Sequence, residues 1–73
     1  MPHVDMNETG KNIRFLMNKN KLKVKDIQRK FGFENPQTVY NWINGKVLPD
    51  IDNLVYLAVI FNIKIDELIV VKK

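Results

Sequence analysis

Apolar residues recur along this chain mainly at the three- and four-residue spacings of helices, not at the two-residue spacing of strands. The pattern predicts five helices, which run from about Asn7 to Asn20, Val24 to Phe31, Pro36 to Asn44, Asp50 to Phe61 and Ile65 to Val71. Asn7 and Asp50 can cap the first and the fourth of these helices. A strand competes only at the β-branched end, FNIKIDELIVV, and no other segment offers it a partner strand. We therefore expect an all-α fold of five helices without a sheet.

Each predicted helix has an apolar face that can turn toward a common core. The expected core residues are Ile13, Leu16 and Met17 of the first helix, Val24, Ile27 and Phe31 of the second, Val39, Trp42 and Ile43 of the third, Leu54, Leu57, Ala58 and Phe61 of the fourth, and Leu68 of the fifth. Phe33 is expected to fold back onto this core from the turn at Gly32. Base stacking is the alternative for the aromatic residues, but their helical spacing favours packing.

The third predicted helix is the most informative element, because its two faces differ in chemistry. Asn35 can cap it through a side-chain oxygen, Pro36 suits the first helical position, and Gly45 can end it in the left-handed conformation. The face opposite the predicted core carries amides and a hydroxyl, at Gln37, Thr38 and Asn41. Such a face is suited to the edges of DNA bases.

Positive charge is concentrated around this helix. The protein has a net charge of +4, but residues 11–46 alone carry +7, because they hold nine of the twelve lysines and arginines against only Asp26 and Glu34. A basic segment of this kind indicates either a surface that meets a polyanion or an ordinary solvated face. Its coincidence with the amide-rich helix favours a nucleic-acid surface.

The remaining composition narrows the class of protein. Seventy-three residues with 45% apolar content suit one small domain, which we expect at residues 8–71, between a flexible N-terminus (1–7) and a basic tail (72–73). The chain has no cysteine and one histidine, His3, so we expect no metal site, no cofactor and no enzyme. No apolar run is long enough to span a bilayer, and no secretion signal is evident. We therefore expect a cytoplasmic protein without a membrane or small-molecule partner.

Several residues, at fixed spacings, together resemble a known family. They are Gly10, Leu22-x-Val24-x-x-Ile27, Gly32, Val39-x-x-Trp42, Asn44-Gly45-Lys46-x-Leu48-Pro49, Asp52-x-Leu54-x-x-Leu57-Ala58 and Ile65-Asp66-Glu67-Leu68. From about Thr9 to Val70 the chain resembles the phage Cro/repressor-type, or XRE-like, helix-turn-helix proteins. The resemblance implies a lambda-repressor-like domain whose helix-turn-helix is formed by the second and third helices. It also implies a transcriptional regulator, here expected to be a repressor, that dimerises on a pseudo-palindromic operator.

Three departures from the family pattern bear on the DNA-binding surface. The loop Phe33-Glu34-Asn35 makes the turn one residue longer than in most members. Many members carry an arginine at the Met17 position and a glutamate at the Ile43 position. Both residues are apolar here, and we expect them to touch, since an apolar pair can replace a buried ion pair without loss. Gln28 stands where a small alanine is common, and it has either a partly exposed structural role or a place at the protein–DNA boundary.

The resemblance places the third helix in the major groove, with its N-terminal residues against the base edges. Gln37 is the first candidate for base readout, because an amide can bond adenine N6 and N7 together; capping or solvation is the alternative. Asn41 comes next, Thr38 can offer its methyl group to thymine or its hydroxyl to phosphate, and Tyr40 either contacts a sugar-phosphate edge or only covers the helix. Phosphate-positioning groups are expected at the N–H groups around Val24 and Lys25 and at the side chains of Lys23, Lys25, Asn35, Asn44 and Lys46.

Apolar residues at positions where charge would be ordinary indicate a possible interface. They are Phe15, Tyr56, Val59, Val70 and Val71, which either build a homodimer through the fourth and fifth helices or enlarge a small core. The leading hypothesis is sequence-specific binding of double-stranded DNA through residues 36–44. The alternative is a protein-interaction module, such as an antitoxin that binds a protein toxin, which the basic segment and the amide-rich helix disfavour.

Overall fold

Five helices and one short two-stranded sheet form the protein, described by a computed structural model of residues 1–73. The helices are α1 (Met6–Lys19), α2 (Val24–Phe31), α3 (Gln37–Ile43), α4 (Ile51–Phe61) and α5 (Ile65–Leu68). The strands are β1 (His3–Val4) and β2 (Val71–Lys72). The prediction of five helices in an essentially all-α fold is confirmed, and α2 has the predicted bounds.

The prediction that the chain contains no sheet is wrong. β1 and β2 pair in an antiparallel ribbon, with His3 opposite Lys72. The pairing continues inward, where the Asp5 N–H donates to the Val70 carbonyl oxygen at 2.7 Å. Strands of two residues are too short to display alternation, and these two lie at opposite ends of the sequence. For that reason no local pattern predicts them.

The ribbon also moves two helix ends from their predicted positions. α1 is capped by Asp5, whose Oδ1 accepts a first-turn N–H at 2.9 Å, and the predicted cap, Asn7, lies inside the helix. Aspartate and asparagine cap about equally well, so residue type alone does not distinguish Asp5 from Asn7. α5 ends at Leu68 and does not reach Val71, because Val71 belongs to β2.

Side chains of α1 hold the C-terminal end of the chain. The buried Thr9 accepts the Val70 N–H on its Oγ1 at 2.9 Å, and the Asn12 side-chain amide donates to the Leu68 carbonyl oxygen at 2.8 Å. Residues 3–4 of the predicted flexible N-terminus and Lys72 of the predicted tail therefore lie in an ordered ribbon. The mobility of residues 1–7 and the division at residue 8 stay predictions.

The core lies where the five helices meet, and it contains the residues predicted for it. Twelve buried apolar side chains form one cluster, which consists of Ile13, Leu16, Met17, Ile27, Val39, Trp42, Ile43, Leu54, Leu57, Ala58, Phe61 and Leu68. Val24, Phe31 and Phe33 pack against it and are half-buried. The prediction that the aromatic residues pack in the core is confirmed, since Trp42 and Phe61 are only 2% and 4% exposed.

An aromatic cluster around Phe31 joins α2, α3 and α4. The centroid of the Phe31 ring lies 5.2 Å from that of Phe33, 5.3 Å from that of Trp42 and 4.7 Å from that of Tyr56. Pairs of this kind each contribute about 0.5–1.5 kcal/mol beyond the area they bury. Phe31 is the last residue of α2, and Gly32 after it turns the chain at a φ of 72°. The cluster therefore fixes the turn that leads to α3.

Gln28 has the structural role that the sequence favoured for it. This half-buried side chain donates from Nε2 to the Phe33 carbonyl oxygen at 3.2 Å. The Phe33 N–H in turn donates to the Gln28 carbonyl oxygen at 3.1 Å. Two bonds thus tie the longer loop to α2, at the position where many family members have alanine.

α1 passes the C-terminal end of α3 at very close range. A Cβ atom on Gly10 would overlap the Trp42 carbonyl oxygen and would lie 3.0 Å from that of Ile43. Because both neighbours are backbone atoms, no change of rotamer would relieve the overlap. Glycine at this position costs about 1 kcal/mol of helix propensity relative to alanine, but it allows the two helices to touch.

We predict that Met17 and Ile43, which are 2% and 8% exposed in one cluster, interact directly. Met17→Arg should lower the free energy of unfolding by about 3–5 kcal/mol, because it buries a charge without a partner. Ile43→Glu should also be strongly destabilising. The double variant introduces the arginine–glutamate pair that the resemblance implies at these positions, and it should recover at least about 1 kcal/mol over the sum of the single losses. Urea unfolding of the four proteins measures this coupling, and additive losses would show that the two side chains do not touch.

Candidate nucleic-acid interface

α3 buries one face completely and presents polar groups on the other. Val39 has no exposed surface, and the remaining inward residues are Trp42 and Ile43. The outward residues are Gln37, Thr38, Tyr40 and Asn44, which are exposed, and Asn41, which is half-buried. A helix of this length is too short to persist alone, so the buried face holds the polar face in position.

The predicted Asn35 cap of α3 is not formed as expected, because Pro36 occupies the N-cap position and no side chain makes a cap hydrogen bond there. Asn35 accepts the Gln37 N–H on its Oδ1 at 3.0 Å. Pro36 has a φ of −81° and a ψ of −3°, and its carbonyl oxygen accepts the Tyr40 N–H at 3.1 Å. The helix itself begins at Gln37, one residue after the predicted start. The amide of Asn35 therefore serves the fold first, because its oxygen already has a partner.

The two leading readout candidates are paired with each other. Gln37 donates from Nε2 to Oδ1 of Asn41 at 3.0 Å, one helical turn further along. The bond leaves the Gln37 Oε1, its second Nε2 hydrogen and both hydrogens on the Asn41 Nδ2 without a partner in the protein. The pair is exposed, so these free groups face solvent. This one hydrogen bond holds both amides in a defined orientation before any ligand binds.

The segment after α3 folds back onto the helix. Lys46 and Val47 both donate their backbone N–H groups to the Asn41 carbonyl oxygen, at 2.9 and 3.3 Å. Gly45 permits the reversal with a φ of 74°. The exposed Lys46 side chain therefore begins directly beside the end of the polar face.

The larger of two clefts lies between α1, the start of α2 and α3. It has a volume of about 450 Å³, and its lining includes the cations Arg14, Lys23 and Lys25 together with Asn18 and Tyr40. No carboxylate is among its lining residues. Two of the predicted phosphate-positioning lysines and the ambiguous tyrosine therefore share one cationic cleft.

Backbone donors at the start of α2 remain available at this cleft. The Lys23 N–H donates to the Asp26 carboxylate at 2.8 Å, so that donor is occupied. The N–H groups of Val24 and Lys25 have no acceptor within the protein. Both residues line the cleft, and unpaired N–H groups at a helix start attract anions.

The smaller cleft lies on the other side of Arg14. It has a volume of about 260 Å³ and is lined by Lys11, Arg14, Ile43 and Asn44. Lys11 also pairs with the Glu8 carboxylate at 3.0 Å. Asn44, which the sequence nominated for phosphate contact, therefore lies beside two cations of α1.

This arrangement of helices has counterparts among known proteins. The sequence model of the helix-turn-helix family matches residues 13–68, which extend from within α1 to the end of α5. The chain belongs to the XRE-like helix-turn-helix family. The match includes the whole of α2 and α3 and the loop between them.

The fold of this XRE-like protein is also found in a solved structure. The crystal structure of the DNA-binding domain of BldD is similar with a TM-score of 0.76 over 90% of this chain and 94% of that one. The two sequences are 16% identical, so the likeness concerns the fold. No curated protein sequence matches the chain.

Four of the nine nominated residues of the XRE-like chain line the clefts: Lys23, Lys25 and Tyr40 line the larger one, and Asn44 lines the smaller one. Asn35, Gln37 and Asn41 line neither cleft, but hydrogen bonds link them along α3. Thr38 and Lys46 line neither cleft, and their side chains have no bonding partner in the protein. The DNA contacts assigned to all nine nominated residues stay predictions.

Sequence reasoning missed the contribution of α1 to this surface. Lys11, Arg14 and Asn18 line the two clefts but were assigned no role in binding. Their spacing of three and four residues places them on one face of α1, and this spacing was the available signal. The packing angle of α1 on α3, which decides whether that face borders the site, cannot be read from the spacing.

No group of three or more histidine, cysteine, aspartate or glutamate side chains could hold a metal ion. None of the helices has both the length and the apolar content needed to cross a membrane. Helix-turn-helix proteins of this family are typically not enzymes.

We predict that Asn35→Ala lowers the free energy of unfolding by about 1 kcal/mol, because the Gln37 N–H loses its side-chain acceptor. Asn35→Asp should retain most of the stability, since a carboxylate can accept the same bond. Glu34→Ala, at an exposed neighbour without a bond, is the matched control and should change stability by less than about 0.5 kcal/mol. Thermal unfolding followed by circular dichroism measures all three. Equal effects at positions 34 and 35 would show that the bond between Asn35 and the Gln37 N–H does not stabilise the fold.

Proposed function

We propose that this protein binds double-stranded DNA sequence-specifically and acts as a transcriptional repressor on a pseudo-palindromic operator. Family membership supports DNA binding and transcriptional regulation in general. The observation that carries the specific proposal is the exposed amide face of α3 beside two clefts lined by cations and no carboxylates. Amides suit base edges, and cations suit phosphates. Residues 36–44 are proposed to enter the major groove.

Gln37 is proposed to read a base directly. Its Oε1 is free to accept from adenine N6, and its second Nε2 hydrogen is free to donate to adenine N7, because only one hydrogen is bonded to Asn41. The Asn41 Nδ2 offers donors for a neighbouring base edge or for a phosphate. Thr38 is proposed to contact a thymine methyl group or a phosphate, and Tyr40 the sugar-phosphate edge.

Phosphates of the DNA backbone are proposed to lie against the cationic clefts. Lys23, Lys25 and the unpaired N–H groups of Val24 and Lys25 all belong to the larger cleft and can serve one phosphate. Asn44 and Lys46, with Asn35 at the opposite end of α3, are proposed to bracket the recognition helix. Such contacts fix the register of the helix and carry no sequence information themselves.

A homodimer is proposed to present two copies of α3 to the operator. Ile51, Val55 and Val59 follow one another at four-residue spacing along α4 and are 70%, 49% and 67% exposed. A second copy of the chain that covers this stripe would bury its apolar surface. Two recognition helices about 34 Å apart would then fit successive major grooves.

Tyr56 contributes less to this proposed interface than its sequence position suggested. Its hydroxyl donates to the Lys30 carbonyl oxygen at 3.0 Å, and its ring packs on Phe31, so it serves the fold of its own protomer. Phe15 is 61% exposed on α1, and Val71 lies in β2. Their part in the dimer stays a prediction.

The second candidate function is a protein-interaction module, for example an antitoxin with a protein partner. The exposed stripe on α4 favours it, because that stripe could receive a different protein. It leaves the amide face of α3 and the cationic clefts without a role, so we rank it second. A repressor acting on chromosomal DNA fits the cytoplasmic location that we propose.

Binding-site selection from a random DNA pool, with affinity then followed across salt, tests the proposed function. We expect a palindromic consensus and an affinity that falls steeply with salt, because the cations release counterions from DNA. Salt-sensitive binding without a consensus would contradict sequence-specific readout and favour the protein-interaction module. No binding at low salt would contradict the whole proposal.

We predict that Gln37→Ala weakens binding to the selected sequence by about 1–3 kcal/mol and relaxes preference at one base position. Lys25→Ala is the comparison variant, and it should weaken all sequences alike and reduce the salt slope by about 1. Repeating the selection with each variant distinguishes the two effects. An unchanged consensus with Gln37→Ala would remove this residue from the readout.

We predict that aspartate at both Val55 and Val59 converts the dimer to monomers and raises its dissociation constant at least about 100-fold, because it would bury unpaired charges. Asp52→Asn, an exposed polar change on the same helix, should leave the dimer intact. Light scattering on size-exclusion chromatography, over a range of concentrations, measures the oligomeric state. A persistent dimer would place the interface elsewhere, and a monomeric wild-type protein would contradict the dimer itself.

A further inference from the structure

Arg14 lies between the two clefts that flank α3. It lines both of them, and its side chain is exposed. It has no acidic partner, since the chain contains one ion pair and that pair joins Lys11 to Glu8. Among the cations beside α3, Arg14 is therefore the one that both clefts share.

The charged side chains that line the two clefts beside Arg14 are all positive. Neither cleft has a carboxylate among its lining residues, whereas Lys11, Lys23 and Lys25 add further positive charge. Lys11 is partly neutralised by its ion pair with Glu8 at 3.0 Å. Cations held together without counter-charges raise the local concentration of anions.

Apolar residues in the lining of the clefts strengthen this effect. Met17 lines the larger cleft, and Ile43 lines the smaller one. Neither residue offers a carboxylate to the Arg14 guanidinium. Apolar walls also weaken screening by water, and the attraction between guanidinium and an anion is stronger as a result.

Backbone donors of α2 lie in the larger cleft together with Arg14. The N–H groups of Val24 and Lys25 have no acceptor in the protein, and both residues line that cleft. A phosphate group in the cleft could therefore receive bonds from α2 and from α1. The planar guanidinium suits this task, since it can bind two phosphate oxygens at once.

We propose that Arg14 binds a phosphate of the DNA backbone and thereby positions α3 in the major groove. This inference rests on the proposed DNA binding and adds α1 to the surface that contacts DNA. Arg14 is a positioning residue and reads no base. Because Gly10 on the same helix touches the end of α3, a phosphate held by Arg14 sets the depth of α3 through a short, rigid connection.

Affinity for the selected DNA, measured across salt for the wild type and three variants, tests this inference. Arg14→Ala should weaken binding about tenfold or more and reduce the salt slope by about 1, with the consensus unchanged. Arg14→Lys should keep the slope, because the charge remains, but it should bind more weakly than the wild type, because the bidentate geometry is lost. Lys19→Ala removes the same charge from an exposed position on α1 that lines neither cleft, and it should leave the slope unchanged.

The outcomes separate this inference from the proposed function. The assignment would be overturned if Arg14→Ala and Lys19→Ala showed the same salt slope of affinity. This holds whether both slopes fall or neither does. A changed consensus for Arg14→Ala would mean that the residue reads bases, and would also overturn it. If the wild-type protein binds no DNA, both proposals are wrong. If the wild type binds DNA and Arg14→Ala binds it with the same affinity and salt slope, only this inference is wrong.

Discussion

The burial of one face of α3 is the interaction on which the rest of the structure depends. A helix of this length has too few internal bonds to persist alone, so Trp42 and its neighbours must hold it. Phe31 ends α2 against the Trp42 ring, and Phe33 brings the loop to the same ring, at centroid distances of 5.3 and 5.8 Å. Since packing occupies the inward face entirely, the outward face has no packing role and its amides can serve a ligand.

α1 provides the surface on which α3 rests, and the contact between them is apolar and close. Gly10 meets the end of α3, and a Cβ on Gly45 would lie 2.9 Å from the Asn7 Cα atom, so the chain touches α1 again directly after α3. Met17 of α1 and Ile43 of α3 belong to one buried apolar cluster. Salt screens ion pairs but weakens apolar contacts little. The salt dependence of binding should therefore report contacts with DNA and not changes in the packing of α3.

The sequence was informative wherever a property repeats along one element. Helical spacing of apolar residues predicted the five helices and the core, and it placed Gln37, Thr38 and Asn41 on the face of α3 opposite that core. The sequence pattern did not predict features that depend on contacts between distant segments. The terminal ribbon joins strands of two residues, and the buried Thr9 hydroxyl serves the Val70 N–H from the other end of the chain. The sequence could not predict the clefts for the same reason. Three elements line them, and only the packing angles of these elements bring Arg14 between the two clefts.

The antiparallel pairing of β1 with β2 determines how the domain responds to mechanical load. His3 pairs with Lys72, so the first and last residues leave the ribbon at the same end. Tension between the termini would break the hydrogen bonds of the ribbon one after another and would not load all of them in shear at the same time. The Asp5 and Thr9 bonds to Val70 would yield next, and α5 would then peel away from α1. The helix-turn-helix lies behind these elements and would bear force last.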